Sequence, residues 1–531
     1  MSSTGFRGAG RCPLWLCALA AVSCASSGTK VSGGIDAAAD QTAARDQGGG
    51  SDQGATTPGT GGLGVGGFGA GGLGGTDGGG AGGPGAGGLG GADGGGADRA
   101  AADTGPTLPS APVVLTEDGG WSWFSSARAL FLGDRLIVGS LASGWADASR
   151  RGDVELLIHD RASGTTSAVE LHNQLELDDH DSAALLARAD GSLLAVYARH
   201  DAESRFYYRS SQPGDPRIWT AEQTFVPSAA TRVTYANLAS LSAESGRIYN
   251  FYRGLDGSFK PSFASSGDRG QTWTSGNVVI QVPTTFRHRP YVRYASNGTD
   301  TIHLLYTEGH PRDFDTSIYH AYLRGGTLYR SDGTAIHPLT QGLANPNEGS
   351  LIYQADPQHV AWCTDIVLDP ADQRPVAAYS VQVGSMGLPQ GQGGDDIRYR
   401  YARWDGAAWR DYPLAFAGSR LYAGEDDYSG LVAIDPTRPA TVYLSTNADP
   451  ATGAPLASSA DGLRHWELYR ATTPDGGATW AFEALTRNST VDNLRPIMVA
   501  SPTAKALLWL RGKYTSYTSY QQQVVAQFLT R

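Results

Sequence analysis

Residues 111–531 are predicted to form an all-β, seven-bladed β-propeller of four-stranded antiparallel blades. Three observations carry that expectation. The region consists of short alternating apolar runs broken by Asp-Gly, Asn-Gly and Asp-Pro turns, with no long helical periodicity. A tyrosine frame recurs, because residues 191–197, 246–252 and 300–306 align and Tyr379 continues the series. Tyr197, Tyr252, Tyr306 and Tyr379 stand 55, 54 and 73 residues apart, the last gap carrying an insertion around 333–357. A blade of about 60 residues divides the region into seven. Finally, residues 266–273 and 473–480 both read S/T-x-D-x-G-x-T-W, the Asp-box turn. In that turn the Asp side chain accepts backbone N–H groups, Gly takes a φ few residues tolerate, and Trp packs beneath. Residues 211–219 look like a degenerate copy.

The elements follow in order. Arg7 and Arg11, an apolar run over 13–22 and then Ser23-Cys24 mark residues 1–24 as an export signal peptide, its apolar core too short to span a membrane stably. Ala21-Val22-Ser23-Cys24 resembles a bacterial lipoprotein box, which would lipidate Cys24 and hold the protein at the cell surface (outer membrane). An ordinary secretory signal is the competing reading. Residues 25–110, mostly Gly, Ala, Asp and Thr, bury too little apolar surface to offset chain entropy and are expected to be a disordered tether. Blades are expected at about 121–170, 180–225, 235–282, 289–340, 359–418, 427–485 and 493–530, with the segment before Trp121 as a closing strand. Cys12, Cys17 and Cys24 lie in the leader, leaving Cys363 alone and no intrachain disulfide framework. A net charge of −11 with no basic aromatic stripe argues against nucleic acid. A monomer is expected, touching membrane only through its lipid anchor.

The repeat also localises a site. Counting back 17 residues from Tyr197, Tyr252 and Tyr306 reaches His180, Tyr235 and Arg289. Just past the same tyrosines lie His200, Arg253 and Glu308-Gly309-His310. The start of a blade's innermost strand and the end of its second strand share one rim. These ionisable groups from three neighbouring blades are therefore expected on one face, with the Asp-box turns on the other. A lone histidine at a strand end is usually a satisfied surface residue; convergence of two His, one Tyr and two Arg makes a cleft site the better reading.

The segments that carry these groups are Asp178-Asp-His-Asp-Ser-Ala-Ala-Leu, Ala195-Val-Tyr-Ala-Arg-His, Ile248-Tyr-Asn-Phe-Tyr-Arg-Gly, Arg289-Pro-Tyr and Tyr306-Thr-Glu-Gly-His-Pro. They resemble the BNR-repeat propeller family that includes the seven-bladed ulvan lyases and a related group acting on rhamnose–glucuronate linkages. The resemblance covers most of 175–385. It implies His180 and His200 as a catalytic pair, Tyr235 and Arg253 as the family's tyrosine and arginine, and Tyr291 as a further substrate contact. It implies an anionic, uronate-containing polysaccharide as substrate.

The residue types suit that chemistry. β-Elimination at a uronate requires neutralisation of the carboxylate, a base for the C5 proton and an acid for the departing O4. An arginine clamp, Arg253 with Arg289 in support, stabilises the enolate-like transition state. Histidine titrates near neutrality and serves as base or acid; tyrosine donates to the leaving oxygen or, as phenolate, takes the proton. His180 and Tyr235 are assigned to base and acid in either order, and His200 to the carboxylate or to orienting its partner.

Glu308, His310 and His320 form a candidate metal group, since alternate residues of an extended chain point the same way and His320 can return on a hairpin. Oxygen and imidazole ligands suit Zn²⁺. The resemblance implies a structural zinc here, with Cys363 or Asp256 as further ligand candidates, and no organic cofactor; the competing reading is a polar turn. At the level of function the alternatives are a glycoside hydrolase on the same propeller, rhamnosidase-like rather than sialidase, and a non-catalytic glycan-binding propeller. A sialidase would need an arginine triad, a Tyr–Glu pair and an acidic general acid, whereas histidines lead this face.

Overall fold

The computed structural model describes residues 111–255, 259–281, 289–385, 388 and 391–530. The expected leader and tether, residues 1–110, lie outside the described residues. Among the described residues the strands form seven antiparallel sheets, the blades of a propeller. Blade one holds Ala129–Leu132, Arg135–Leu141, Val154–Asp160 and Thr165–His172, and blades three, five and six repeat the four-strand plan.

Second strands lie between neighbouring blades and are covered on both faces. Leu193–Tyr197 and Thr301–Tyr306 are buried along their whole length, which is why they read as unbroken apolar runs. The tyrosine frame closes those strands. Tyr197, Tyr306 and Tyr379 bury their rings and send their hydroxyls to polar partners: Leu171 O at 3.2 Å, Pro346 O at 2.7 Å and Asp411 Oδ1 at 2.5 Å.

Both Asp boxes connect a third strand to a fourth. Asp268 Oδ1 accepts the N–H groups of Gln271 and Thr272 at 3.1 and 2.9 Å, while Ser266 Oγ accepts Gly270 N at 2.7 Å. Asp475 Oδ1 accepts Thr479 N at 2.8 Å and Thr473 Oγ1 accepts Gly477 N at 2.8 Å. The degenerate copy makes a different turn: Asp215 pairs with Arg217, and residues Asp215–Trp219 form a short strand against Phe206–Gln212. The insertion at 333–357 enlarges blade four, where Ser350–Tyr353 pairs with the third strand Ile318–Arg324.

The ring closes through the chain's two ends. Blade seven takes Asp492–Ala500, Lys505–Ser516 and Ser519–Leu529 from the C-terminal end, and Val113–Thr116 joins them as its outermost strand. The expected closing strand is therefore present, and it covers an edge that would otherwise offer unpaired backbone groups. A buried ion pair, Lys505 Nζ to Asp435 Oδ2 at 2.7 Å, ties blade seven to blade six.

After the closing strand the chain turns inward. Trp123 and Phe124 join one core cluster with Tyr235, Tyr291, Trp362, Tyr428, Trp466 and Tyr514, which come from five blades. Phe124 stacks on Trp362 at 3.9 Å, and Trp123 Nε1 donates to Ser429 O at 2.6 Å. Residues 121–126 thus plug the axis and form the floor beneath the polar face. Deleting residues 111–117 is expected to lower the melting temperature by about 5 °C or more and to promote self-association, measured by calorimetry and light scattering.

Candidate active site

The polar face is organised by one carboxylate. Asp178 caps the 3-10 turn Asp179–Asp181, accepting His180 N at 3.1 Å. The same carboxylate reaches two imidazoles, His180 Nδ1 at 2.5 Å through Oδ1 and His200 Nδ1 at 2.8 Å through Oδ2. His180 sits just before the first strand of blade two, Ala184–Ala187, and His200 just after the second, Leu193–Tyr197. The backbone of His200 is fixed as well, its N–H donating to Glu176 Oε1 at 2.5 Å. The two rings stack with centroids 3.8 Å apart and planes 9° from parallel. Because both Nδ1 atoms face Asp178, each Nε2 is left without a protein partner among the described residues. Tyr517, from the turn between the second and third strands of blade seven, meets both rings edge-on at 5.6 and 5.5 Å.

Blade three supplies the next two groups. Tyr235 lies in Ala230–Leu241 where the register shifts, at φ 62°. A left-handed tyrosine costs about 1–3 kcal/mol and persists because its surroundings hold it. Its ring centroid is 5.1 Å from His180. Arg253, in Arg247–Leu255, packs its guanidinium 5.1 Å from the Tyr235 ring centroid and 5.4 Å from that of Tyr291. Its Nε and Nη1 are buried without a hydrogen-bond partner among the described residues. Gly254 follows at φ 153°, where a Cβ would fall 1.9 Å from Arg232 O, so the Tyr-Arg-Gly sequence admits no side chain there. From blade four, Arg289 is buried with Nη1 3.8 Å from Asp313 Oδ2. Tyr291 packs against His310 at 5.3 Å and 88°.

Electrostatics set these groups apart. Burial alone would lower the His180 imidazole, but the Asp178 carboxylate, helped by Asp179, overrides it and lifts the group to about 10. Burial raises the Asp178 carboxyl, and the two histidines outweigh it and hold it well below the usual range. Burial raises the Tyr235 phenol, Tyr291 adds to this, and Arg253 and Ser122 temper it. Tyr291 goes the other way: burial raises it, and Arg253 and Arg289 outweigh burial and bring it below the ordinary phenol range.

The structure thus gathers His180, His200, Tyr235, Arg253, Arg289 and Tyr291 on one rim. It does not gather the expected metal group. Glu308 accepts Ser317 N and the Tyr319 hydroxyl. His320 lies within blade four, its Nε2 2.9 Å from His303 Nδ1 and its Nδ1 2.8 Å from Ser331 Oγ. His310 accepts Arg312 N at 3.1 Å and packs on Tyr291 and Trp362. Cys363 is buried with Sγ 3.6 Å from Tyr291 O, and Asp256 lies outside the described residues. Each donor is spent on a different partner, so these residues do not fit a zinc. The donors that do come within 4.8 Å of one another are those of Asp178, His180 and His200. They could hold a metal, but tetrahedral ligands on zinc stand about 3.3 Å apart. The 2.5 and 2.8 Å contacts are hydrogen-bond lengths.

Asp178 and Tyr517 are the members that sequence reasoning missed. Asp178 had a signal, an acid two residues before a histidine and able to cap the same turn. Tyr517 had none, since only ring closure brings blade seven beside blade two.

A family model described as a BNR repeat-containing family member matches residues 143–417, and the chain belongs to this family. Among solved structures, one described as a new family of polysaccharide lyase, the PL25 ulvan lyase, is 14% identical with a TM-score of 0.57, covering 79% of this chain and 96% of that one. The same values hold for the PL25 ulvan lyase bound to GlcA(1-4)Rha3S. Polysaccharide lyase Uly1 is 11% identical with a TM-score of 0.50, covering 79% of this chain and 98% of that one. No curated protein matches the chain. At these identities the likeness is one of fold.

The Asp178→Asn variant is expected to lose about 3–5 kcal/mol, because it removes the principal counter-charge of a buried imidazolium and leaves only Asp179 beside it. The His180 contribution is complete below an imidazole's ordinary pKa of about 6.5 and disappears as pH rises through about 10. The Asp178 contribution is complete above about pH 3.9 and is lost on acidification. Urea titrations should therefore show the largest difference from wild type between about pH 4 and 6.5, shrinking steadily toward pH 10.

Proposed function

We propose that this protein is a polysaccharide lyase that cleaves a uronate-containing, rhamnose–uronate type polymer by β-elimination. The reading rests on one observation: the Asp178-linked histidine pair faces a buried Arg253 with two unpaired donors, across Tyr235 and Tyr291. Those are the three components the reaction requires. The solved ulvan lyases, one of them holding a glucuronate–rhamnose ligand, share the fold and support the substrate class.

Arg253 binds the uronate carboxylate, and Arg289, positioned by Asp313, adds positive potential where charge builds on the enolate-like carboxylate. The arginines that lower the Tyr291 phenol make it the group to take the C5 proton as phenolate. Tyr235, whose phenol is held up by burial, stays protonated and acts as a donor. His180, held as imidazolium by Asp178, delivers its Nε2 proton to O4 as the C4–O4 bond breaks. The electron pair of the C5–H bond becomes the C4=C5 double bond and the C4–O4 pair leaves on O4; Tyr291 then returns its proton to water and His180 regains one from water. His200 stacks against His180 and offers its Nε2 to the substrate.

One observation favours hydrolysis as a second reading. A cavity beside Asp313 is also lined by Asp427, whose carboxyl is pushed up to about 8 by burial and then by Glu425 and Asp426. A protonated carboxylic acid of that kind is the general acid a glycosidase uses.

Incubation of the purified protein with a panel of uronate polysaccharides is expected to generate the ultraviolet absorbance of an unsaturated uronate. New reducing ends without it would favour hydrolysis, and binding without cleavage would favour the glycan-binding alternative. Arg253→Lys keeps the charge but loses the planar fork, so kcat/KM is expected to fall about 10²–10³-fold.

A further inference from the structure

Below the aromatic plug three arginines from three blades meet near the propeller axis. Arg128 precedes the first strand of blade one, Arg293 lies in Val292–Ser296 of blade four, and Arg495 lies in Asp492–Ala500 of blade seven. They are 1%, 7% and 2% exposed. Each makes part of its hydrogen bonding to the plug backbone. Arg293 donates to Trp123 O at 2.7 Å and to Ser125 O, Arg495 donates to Ser125 O at 3.2 Å, and Arg128 donates to Ser126 O at 3.4 Å. Carbonyls satisfy donors but do not neutralise charge.

Among the described residues none of the three forms an ion pair. The carboxylate nearest to them in the axial cavity is Asp365, and its oxygens accept Ile366 N at 2.9 Å and Ile434 N at 2.8 Å. Asp179 also acts on Arg495, so three guanidiniums face two carboxylates and one positive charge is in excess. Arg128 Nε and Nη2, Arg293 Nε and Arg495 Nη1 are buried without a partner among the described residues. So are the hydroxyls of Ser125, Ser126 and Thr364. Burial pulls all three arginines below their ordinary range, and Arg293 adds to this at Arg128 and Arg495. Guanidinium nevertheless stays protonated in proteins. An uncompensated buried charge costs several kcal/mol, so a counter-charge is required.

Ser125, Arg293, Thr364, Asp365 and Arg495 line a cavity of ≈ 40 Å³. One water needs roughly 10–15 Å³ on this measure, so there is room for one small anion with a water beside it. We propose that the axis of this propeller holds a small inorganic anion of chloride size, bound by the free donors of Arg293 and Arg495, with Arg128 adding positive potential. The anion cements the plug to blades one, four and seven, and is distinct from the substrate face.

The test uses the whole protein, purified without halide. In bromide-soaked crystals an anomalous peak is expected between the Arg293 and Arg495 guanidiniums. At constant ionic strength, replacing gluconate by chloride should raise the melting temperature saturably, by about 3 °C. Arg495→Met should abolish that dependence. Water density without a bromide peak, or equal melting in chloride and gluconate, overturns the proposal. Should Arg495→Met not fold, the bromide map of the wild-type protein decides.

Discussion

The pairing of Val113–Thr116 with Ser519–Leu529 is the constraint on which the rest of the molecule depends. It turns seven sheets into a ring, and a ring has an axis that must be filled. Residues 121–126 follow that strand within a few positions and fill it with Trp123 and Phe124. These residues floor the polar face and present the carbonyls that three buried arginines use.

On the polar face a single carboxylate performs comparable work. Asp178 caps a turn, meets the Nδ1 atoms of two imidazoles and raises the pKa of His180. A few ångströms away Arg253 and Arg289 act on Tyr291 in the opposite sense, favouring its ionised form. Two groups with ordinary pKa values on either side of neutrality are thus moved in opposite directions, the imidazole up and the phenol down.

Much of this was legible in the sequence because it is periodic. The tyrosine frame marks strands covered on both sides, and its spacing gave the blade length and the rim on which His180, His200, Tyr235, Arg253 and Arg289 meet. The Asp boxes at 266–273 and 473–480 are local turns, so their pattern alone sufficed. Contacts between distant blades were less visible. Glu308, His310 and His320 look like metal ligands at the right spacing, but separate polar partners, Ser317 and Tyr319, Arg312, and Ser331 and His303, take them up one by one. Tyr517 reaches the histidines only across the closed ring, and the three axial arginines share no motif. Residues 211–219 kept the Trp of an Asp box without the Asp at its place, and a hairpin formed instead.

The position of Tyr517 has a bearing on when the polar rim is complete. It stands 337 residues after His180, yet its ring borders the imidazoles of blade two. A nascent chain can pair strands within its early blades as they emerge, but the wall around the imidazoles remains incomplete until Ser519–Leu529 has docked on Val113–Thr116. Assembly of this rim is thereby tied to closure of the ring. Chains interrupted before blade seven carry His180, His200 and Arg253 without the wall that Tyr517 supplies.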